Sequence, residues 1–142
     1  MLIELVRFKQ GDSDLDELIR IHQEPSVYRY ISISDNYFNY VTETEGVCYY
    51  KIMTDGILAG GIHSEIHGKT MYLSICVDEK YRRLGIAEKS LKKLHSIIPS
   101  TVKTIEVSIE ETNIPSVRLF RKLGFQYSER DHELITYCKS LE

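Results

Sequence analysis

Hydrophobic and polar positions along this chain alternate with two different periods, and the switch from one to the other divides it into elements. A period of two, which sends successive side chains to opposite faces of a strand, runs through residues 2–8, 46–54, 57–66 and 70–78. It returns in 102–109, 125–129 and 133–139. A helical period instead groups Leu15, Leu18, Ile19 and His22 on one face, Ala87, Leu91, Leu94 and Ile98 on a second, and Val117, Leu119, Phe120 and Leu123 on a third. Asp12, Ser13 and Asp14 offer caps to the first helix, with Glu17 three residues past Asp14 in the spacing of a capping box. Pro25 restarts the chain, residues 26–33 hold a short helical turn, and Ser34 or Asp35 caps a further helix through Tyr37, Phe38 and Val41 to Glu43. Asp55-Gly56 suits a tight hairpin turn and His67-Gly68-Lys69 a second, so the strands from 46 to 78 form a meander. Gly60 and Gly61 interrupt its middle strand, which predicts a bulge or a close backbone approach. Pro115 suits the start of the last helix and Gly124 its left-handed end.

Residues 73–98 concentrate the chemistry. Leu73, Ile75 and Val77 alternate with Ser74 and Cys76 up to Asp78, charged residues crowd around Tyr81, and Gly85 frees the backbone where a helix must begin. The first amides of a helix lack carbonyl partners and the helix dipole makes that end positive, so such a junction binds anions. Arg82 and Arg83 add full charges beside it. The same residues would equally make an ordinary strand-to-helix turn with solvated arginines.

Composition narrows the class. A chain of 142 residues with 42% hydrophobic and 27% charged residues can form one domain with its own core, and a formal charge of −3 does not support generic nucleic-acid binding. No apolar run approaches membrane-spanning length and the N-terminus carries Glu4 where a signal peptide would be basic, so a cytoplasmic protein with neither nucleic-acid nor membrane partner is expected. Cys48, Cys76 and Cys138 lie apart in strand segments and the histidines form no ligand pair, so reduced thiols and no metal are expected.

The run Arg82-Arg83-Leu84-Gly85-Ile86-Ala87, after a strand and before a helix, resembles the Arg/Gln-x-x-Gly-x-Gly/Ala pyrophosphate loop of the GNAT superfamily, the acyl-CoA-dependent N-acyltransferases. Downstream, Ile105-Glu106-Val107, Asn113, Ser116 and Leu119-Phe120-Arg121-Lys122-Leu123-Gly124-Phe125 resemble that family's second signature, a strand followed by Asn-x-x-Ala-x-x-Leu-Tyr-x-Lys-x-Gly-Phe. With the order β-α-α-β-β-β-α-β-α-β-β accounting for essentially the whole chain, the protein is identified as a member. The resemblance implies an α/β (α+β) fold in a single domain over residues 1–142, with one mixed, mainly antiparallel, twisted sheet, helices on both faces, and the fourth and fifth strands splayed. Ser116 replaces a small alanine. Phe120 replaces the tyrosine thought to protonate the departing thiolate in many members, so that role is not carried over.

The resemblance further implies acetyl-CoA as cosubstrate, its pantetheine arm pairing with the backbone at Ile75, Cys76 and Val77 and its pyrophosphate on the amides from Leu84 through Gly85 and Ile86 to Ala87. Arg82 or Arg83 would supply charge, Asn113 a polar contact, and Ser116 and Phe120 would lie alongside. The Val77 N–H could hold the developing oxyanion. His63 and Glu65 share one face of their strand and could handle the amine's proton, although alternating polar residues on a solvated face explain them as well. Glu106 and Glu110 are further candidates. The aromatic cluster Tyr28, Tyr30, Tyr37, Phe38 and Tyr40 either packs on the sheet or borders the acceptor. The expected function is transfer of an acetyl group from acetyl-CoA to a primary amine of a small molecule or protein by direct attack, in a monomer or homodimer. A regulatory acyl-CoA-binding protein without turnover is the alternative, and an interaction module that has lost the cofactor is a third.

Overall fold

In the computed structural model, which describes residues 1–142, the alternating segments become β1 (Ile3–Arg7), β2 (Val47–Thr54), β3 (Ile57–His67), β4 (Thr70–Val77), β5 (Thr104–Glu110), β6 (Gln126–Asp131) and β7 (Leu134–Ser140). The helical segments become α1 (Leu15–Gln23), α2 (Pro25–Tyr28), α3 (Tyr37–Glu43), α4 (Ile86–His95) and α5 (Ile114–Lys122). One sheet of seven strands runs β1-β2-β3-β4-β5-β7-β6, antiparallel throughout except for the parallel pair β4 and β5. A parallel neighbour requires a crossover, and α4 provides it.

Each sheet face carries its own core. On one, Ile52, Ile62, Met71, Leu73 and Val107 pack with Ile86, Leu91 and Leu94 of α4 and Phe120 of α5. On the other, Val47, Tyr49, Leu58 and Cys76 pack with Leu18 and Ile21 of α1, Val27 of α2 and Val41 of α3. Burying such side chains contributes about 1.5–3 kcal/mol each, so the central strands are held from both sides.

The glycine pair in β3 serves both alternatives that its sequence raised. The register with β2 slips between Ile52 and Met53, opposite Leu58 and Gly60. A Cβ at Gly60 would also collide with the Cys76 carbonyl oxygen, and one at Gly61 with the Tyr49 hydroxyl.

Local signals were less faithful at the caps. Asp14 sits at the N-cap of α1 but makes no capping bond, because its carboxylate bonds Lys51 Nζ at 2.8 Å, and Glu17 pairs with Arg20 rather than closing a box. Asn36, not Ser34 or Asp35, precedes α3. The buried stripe of α4 comprises Ile86, Ser90, Leu91 and Leu94, so Ile86 takes the place expected of Ala87, and the helix ends at His95 before Ile98.

Candidate active site

β4 and β5 are in register only from Thr70 opposite Thr104 to Leu73 opposite Val107. Beyond that pair β4 stays with β3 as far as Val77, and β5 stays with β7 as far as Glu110. The two strands therefore part, and the edge of β4 from Ser74 to Val77, where Ile75 and Val77 direct their backbone groups away from β3, faces a slot with no strand partner. Exposure follows the same division: Met71 and Leu73 are buried on the α4 face, whereas Ile75 and Val77, next along that face, are half-buried. Backbone groups left unpaired inside a sheet call for a partner of their own. A cavity of about 320 Å³ lies elsewhere, against Leu73, Leu91, Leu94, Ile105 and Phe125 where the strands are still joined.

At the slot's mouth a 3-10 turn, Glu79–Tyr81, leads to α4. Arg83 and Gly85 take left-handed angles, φ 64° and 76°, which turn the chain sharply into the helix. The first backbone bond into α4 is Lys89 N–H to Gly85 O at 3.1 Å, leaving the N–H groups of Ile86, Ala87 and Glu88 without intrahelical partners. A Cβ at Gly85 would meet nothing nearer than the Lys89 side chain at 4.0 Å, so the backbone just before those amides is uncovered. Arg83 and Leu84 are exposed beside them. Arg82 is tied back: its Nε donates to the Val77 carbonyl at 3.2 Å and its NH1 to Ser26 Oγ at 2.8 Å. Two of its donors thus join the end of β4 to α2, whereas Arg83 is exposed.

The loop is fixed from behind by a carboxylate that sequence reading passed over. Asp78 is 1% exposed and accepts Arg20 NH2 at 2.6 Å and the Lys80 N–H at 3.3 Å. Burial works against its charge, but these donors prevail and hold its pKa below the usual carboxylate value. Glu24 at the end of α1 accepts the Glu79 N–H at 3.1 Å, a second tie between α1 and the loop.

On the α1–α3 face, the two groups expected to handle protons come together with three more. His63 Nδ1 meets the Tyr37 hydroxyl at 2.6 Å, and His63 Nε2 meets Glu65 Oε1 at 3.0 Å. Tyr40 donates to the same oxygen at 2.6 Å, and His67 Nε2 lies 3.1 Å from Oε2. Burial alone would raise the Glu65 pKa, but the bonds from Tyr40, His67 and His63 outweigh it and hold the group ionised. An ionised carboxylate only accepts, so His63 carries its hydrogen on Nε2, and in the neutral ring Nδ1 is the acceptor for Tyr37. Burial raises the Tyr37 pKa strongly, which keeps that phenol a donor.

Deeper lies a buried trio. His22 Nε2 meets the Tyr49 hydroxyl at 2.7 Å and the Cys76 sulfur at 3.6 Å. Burial pushes the His22 imidazole down to about 4 and the Cys76 thiol up to about 11, so all three groups are neutral near pH 7. His22 is thus a packed residue of the second core, and its Nδ1 has no partner.

Of the remaining candidates, Asn113 stands at the N-cap of α5 without a side-chain bond and Ser116 is half-buried on that helix. Phe120 is 1% exposed and packs edge-on against Phe125 with ring centroids 5.1 Å apart. Glu106 is covered by Cys138, whose sulfur lies 3.6 Å from Oε1. Tyr30 reaches from beyond α2 to Thr112 in the β5–α5 loop at 3.3 Å, so the segment around α2 is tied to both banks of the slot, to Arg82 on one and Thr112 on the other. Nothing in the local sequence pairs Tyr30 with a residue so distant.

A sequence model of the acetyltransferase (GNAT) family matches residues 15–125. The spermine/spermidine N(1)-acetyltransferase of Bacillus subtilis is 30% identical over 120 residues, spanning 69% of this chain and 78% of that protein. Among solved structures, an acetyltransferase from Thermus thermophilus superposes with a TM-score of 0.84 at 14% identity, covering 99% of this chain and 98% of its own. The Campylobacter jejuni N-acetyltransferase PseH, in complex with acetyl coenzyme A, superposes with 0.77 at 15% identity, covering 99% and 100%.

Proposed function

The chain belongs to the acetyltransferase (GNAT) family, and from that premise we propose that it transfers an acetyl group from acetyl-CoA to a primary amine held on the α1–α3 face of its sheet. The observation that carries this reading is the parting of β4 from β5 after Leu73 and Val107, beside a helix start whose backbone at Gly85 is uncovered. When bound, acetyl-CoA supplies a thioester whose acyl carbon passes to the amine nitrogen with release of the thiol.

The chain's own residues have separable tasks in this proposal. The slot edge of β4 at Ile75, Cys76 and Val77, where Ile75 and the Val77 N–H face away from β3, serves as a strand edge for the amide-bearing arm, and the Val77 N–H receives charge developing on the carbonyl oxygen. The amides of Ile86 and Ala87, approached over Gly85 and assisted by Arg83, accept the diphosphate. Arg82, Asp78 and Arg20 position that loop. Asn113 and Ser116 line the α5 side.

The acceptor class follows from charge. Positions in register on the face of His63 and Glu65 are Tyr72 and Ser74 of β4, Glu106 and Ser108 of β5, and Cys138 and Thr136 of β7. None is a cation. A cationic small molecule suits such a surface, and a polyamine, the substrate class in the name of the Bacillus subtilis relative, is the acceptor we propose.

Acetyl-CoA at about 100 times its Kd should stabilise the protein by ~2.7 kcal/mol and raise Tm by several degrees. Thiol release over an amine panel then identifies the acceptor. Gly85→Val should remove the thermal shift while the apo protein remains folded, since a branched side chain resists positive φ and covers the amides. Full acetyl-CoA binding by folded Gly85→Val, or no thiol release with any amine, would overturn the assignment.

A further inference from the structure

The Glu65 network has more hydrogen-bond donors than a proton acceptor needs. A general base must give its lone pair to the reacting amine and hold the proton it takes, which favours a carboxylate with few donors and a raised pKa. Glu65 has the opposite surroundings. Tyr40 and His63 both bond Oε1, His67 bonds Oε2, and the side chain is 21% exposed. His63 is no freer, because Tyr37 and Glu65 engage both of its nitrogens. A carboxylate offers about four acceptor positions, so three donors leave one, on Oε2. That position is shared only with His67, whose side chain is 65% exposed and free to swing aside.

We propose that Glu65 is the anchor for a second, non-reacting ammonium of the acceptor, with Tyr40 and His63 as positioning residues that hold its carboxylate in place. The inference rests on the acetyltransferase reading above and deepens it by naming the residue that selects polycations. Register supports the role. Glu65 lies opposite Tyr72, while the slot begins beyond Leu73, so the anchor stands roughly 10 Å along β4 from the level of Ile75 at ~3.3 Å per residue. A polyamine of spermidine's length can span that distance, with one terminal nitrogen at the slot and the other at Glu65. A monoamine cannot reach both. Charge on the surrounding face does not compete: the cross-strand positions through β4, β5 and β7 carry Glu106 and no lysine or arginine, and on β2 the one lysine of this face, Lys51, is paired with Asp12 and Asp14.

The titratable groups that face the carboxylate are Tyr40 from α3, His63 and His67 from β3, Tyr72 opposite it on β4 with Glu106 of β5 beyond and, through His63, Tyr37 from α3. With Glu65 ionised throughout, the rate with any amine should follow the acceptor's own deprotonation, rising about tenfold per pH unit below an amine pKa near ~10.

The test compares kcat/KM for butylamine, 1,4-diaminobutane and spermidine in the wild type, Glu65→Gln and Tyr40→Phe, from pH 6.5 to 9.5. Thermal shift with acetyl-CoA first establishes that each variant is folded. The wild type should prefer spermidine to butylamine by about tenfold or more, as a charge-assisted hydrogen bond allows. Glu65→Gln should bring the ratio close to one, mainly through KM for spermidine, without changing the slope of the pH profile. Tyr40→Phe should lower the ratio severalfold, and it decides the matter if Glu65→Gln does not fold. A Glu65→Gln enzyme that keeps the spermidine preference overturns the anchor while leaving the acetyltransferase reading intact. So does one whose kcat collapses for all three amines and whose pH profile changes, because that is the signature of a lost base. Absence of both acetyl-CoA binding and turnover in the wild type overturns the underlying reading, and the anchor with it.

Discussion

At His22 a single side chain makes the fold sensitive to mild acid. Its ring is 2% exposed, with Tyr49 on Nε2 and nothing on Nδ1, and burial, with His63 as a lesser cause, pushes its pKa from 6.5 down to about 4. The unfolded chain therefore takes up a proton that the folded one refuses. Stability contributed by the neutral ring is fully present above pH 6.5 and is lost as pH falls from 6.5 to 4, by up to about 3 kcal/mol. Urea unfolding at half-unit steps across that window should show the decline, and His22→Asn, though less stable at pH 7, should flatten it. An equally steep decline in His22→Asn would assign the effect elsewhere. Glycines show the same dependence on surroundings. Gly60 is required because the Cys76 carbonyl lies where its Cβ would go, whereas Gly85 has open space and is required for its φ of 76°.

At the scale of elements, β2 is tied to the β1–α1 loop by a buried cation. Lys51 is 8% exposed, and its Nζ lies 2.9 Å from Asp12 and 2.8 Å from Asp14. Burial would lower the ammonium's pKa, but the bonds to Asp14 and Asp12 win and raise it, while Asp12, against its own burial, is held low first by the Asp14 backbone N–H and then by Lys51. The signs give a broad plateau. The lysine's contribution is complete below its unfolded pKa of 10.5 and is lost above it, while that of Asp12 is complete above 3.8 and is lost as pH falls further. Lys51→Met should cost roughly 3 kcal/mol at pH 7, the low end for a broken buried pair, because two carboxylates then face each other unpaired. Adding Asp12→Asn should recover part of the loss, as measured by denaturant midpoints at constant m. No recovery would mean that the lysine stem's packing, rather than its charge, matters.

At the scale of the molecule, two cores clamp a sheet that is joined at one end of β4 and β5 and open at the other. The central strands are paired as far as Leu73 and Val107, while Ser74 to Val77 and Ser108 to Glu110 look across the slot at no strand. Amides directed into the slot should therefore exchange with solvent far faster than those of Thr70 to Leu73. Acetyl-CoA should slow them, together with the amides of Ile86 and Ala87, in a hydrogen-exchange experiment resolved by peptide. Protection confined to the α4–α5 cavity at Leu94 and Phe125 would place the ligand on the wrong side of the joined strands. No helix is long and apolar enough to cross a membrane.

Periodicity by itself determined the element order, because an alternation of two or 3.6 is a local property that tertiary packing here reinforces on both faces of the sheet. The glycine punctuation was legible for the same reason: Gly85 and Gly124 do take left-handed angles, 76° and 93°. Family membership was also in the sequence, since both signatures sit on contiguous residues of β4–α4 and β5–α5. What the sequence left open were choices between partners distant along the chain. Asp14 could cap α1 or bond Lys51, and only the proximity of β2 selects the second. Arg82 could serve an anion or bind Val77 and Ser26, and α2 must lie against the loop before the latter is possible. His63 and Glu65 share one face in the sequence, and only the packing of α3 brings Tyr37 and Tyr40 onto them. A side-chain hydrogen bond requires a donor within about 3 Å, and that distance is set by how helices pack on the sheet rather than by spacing along the chain.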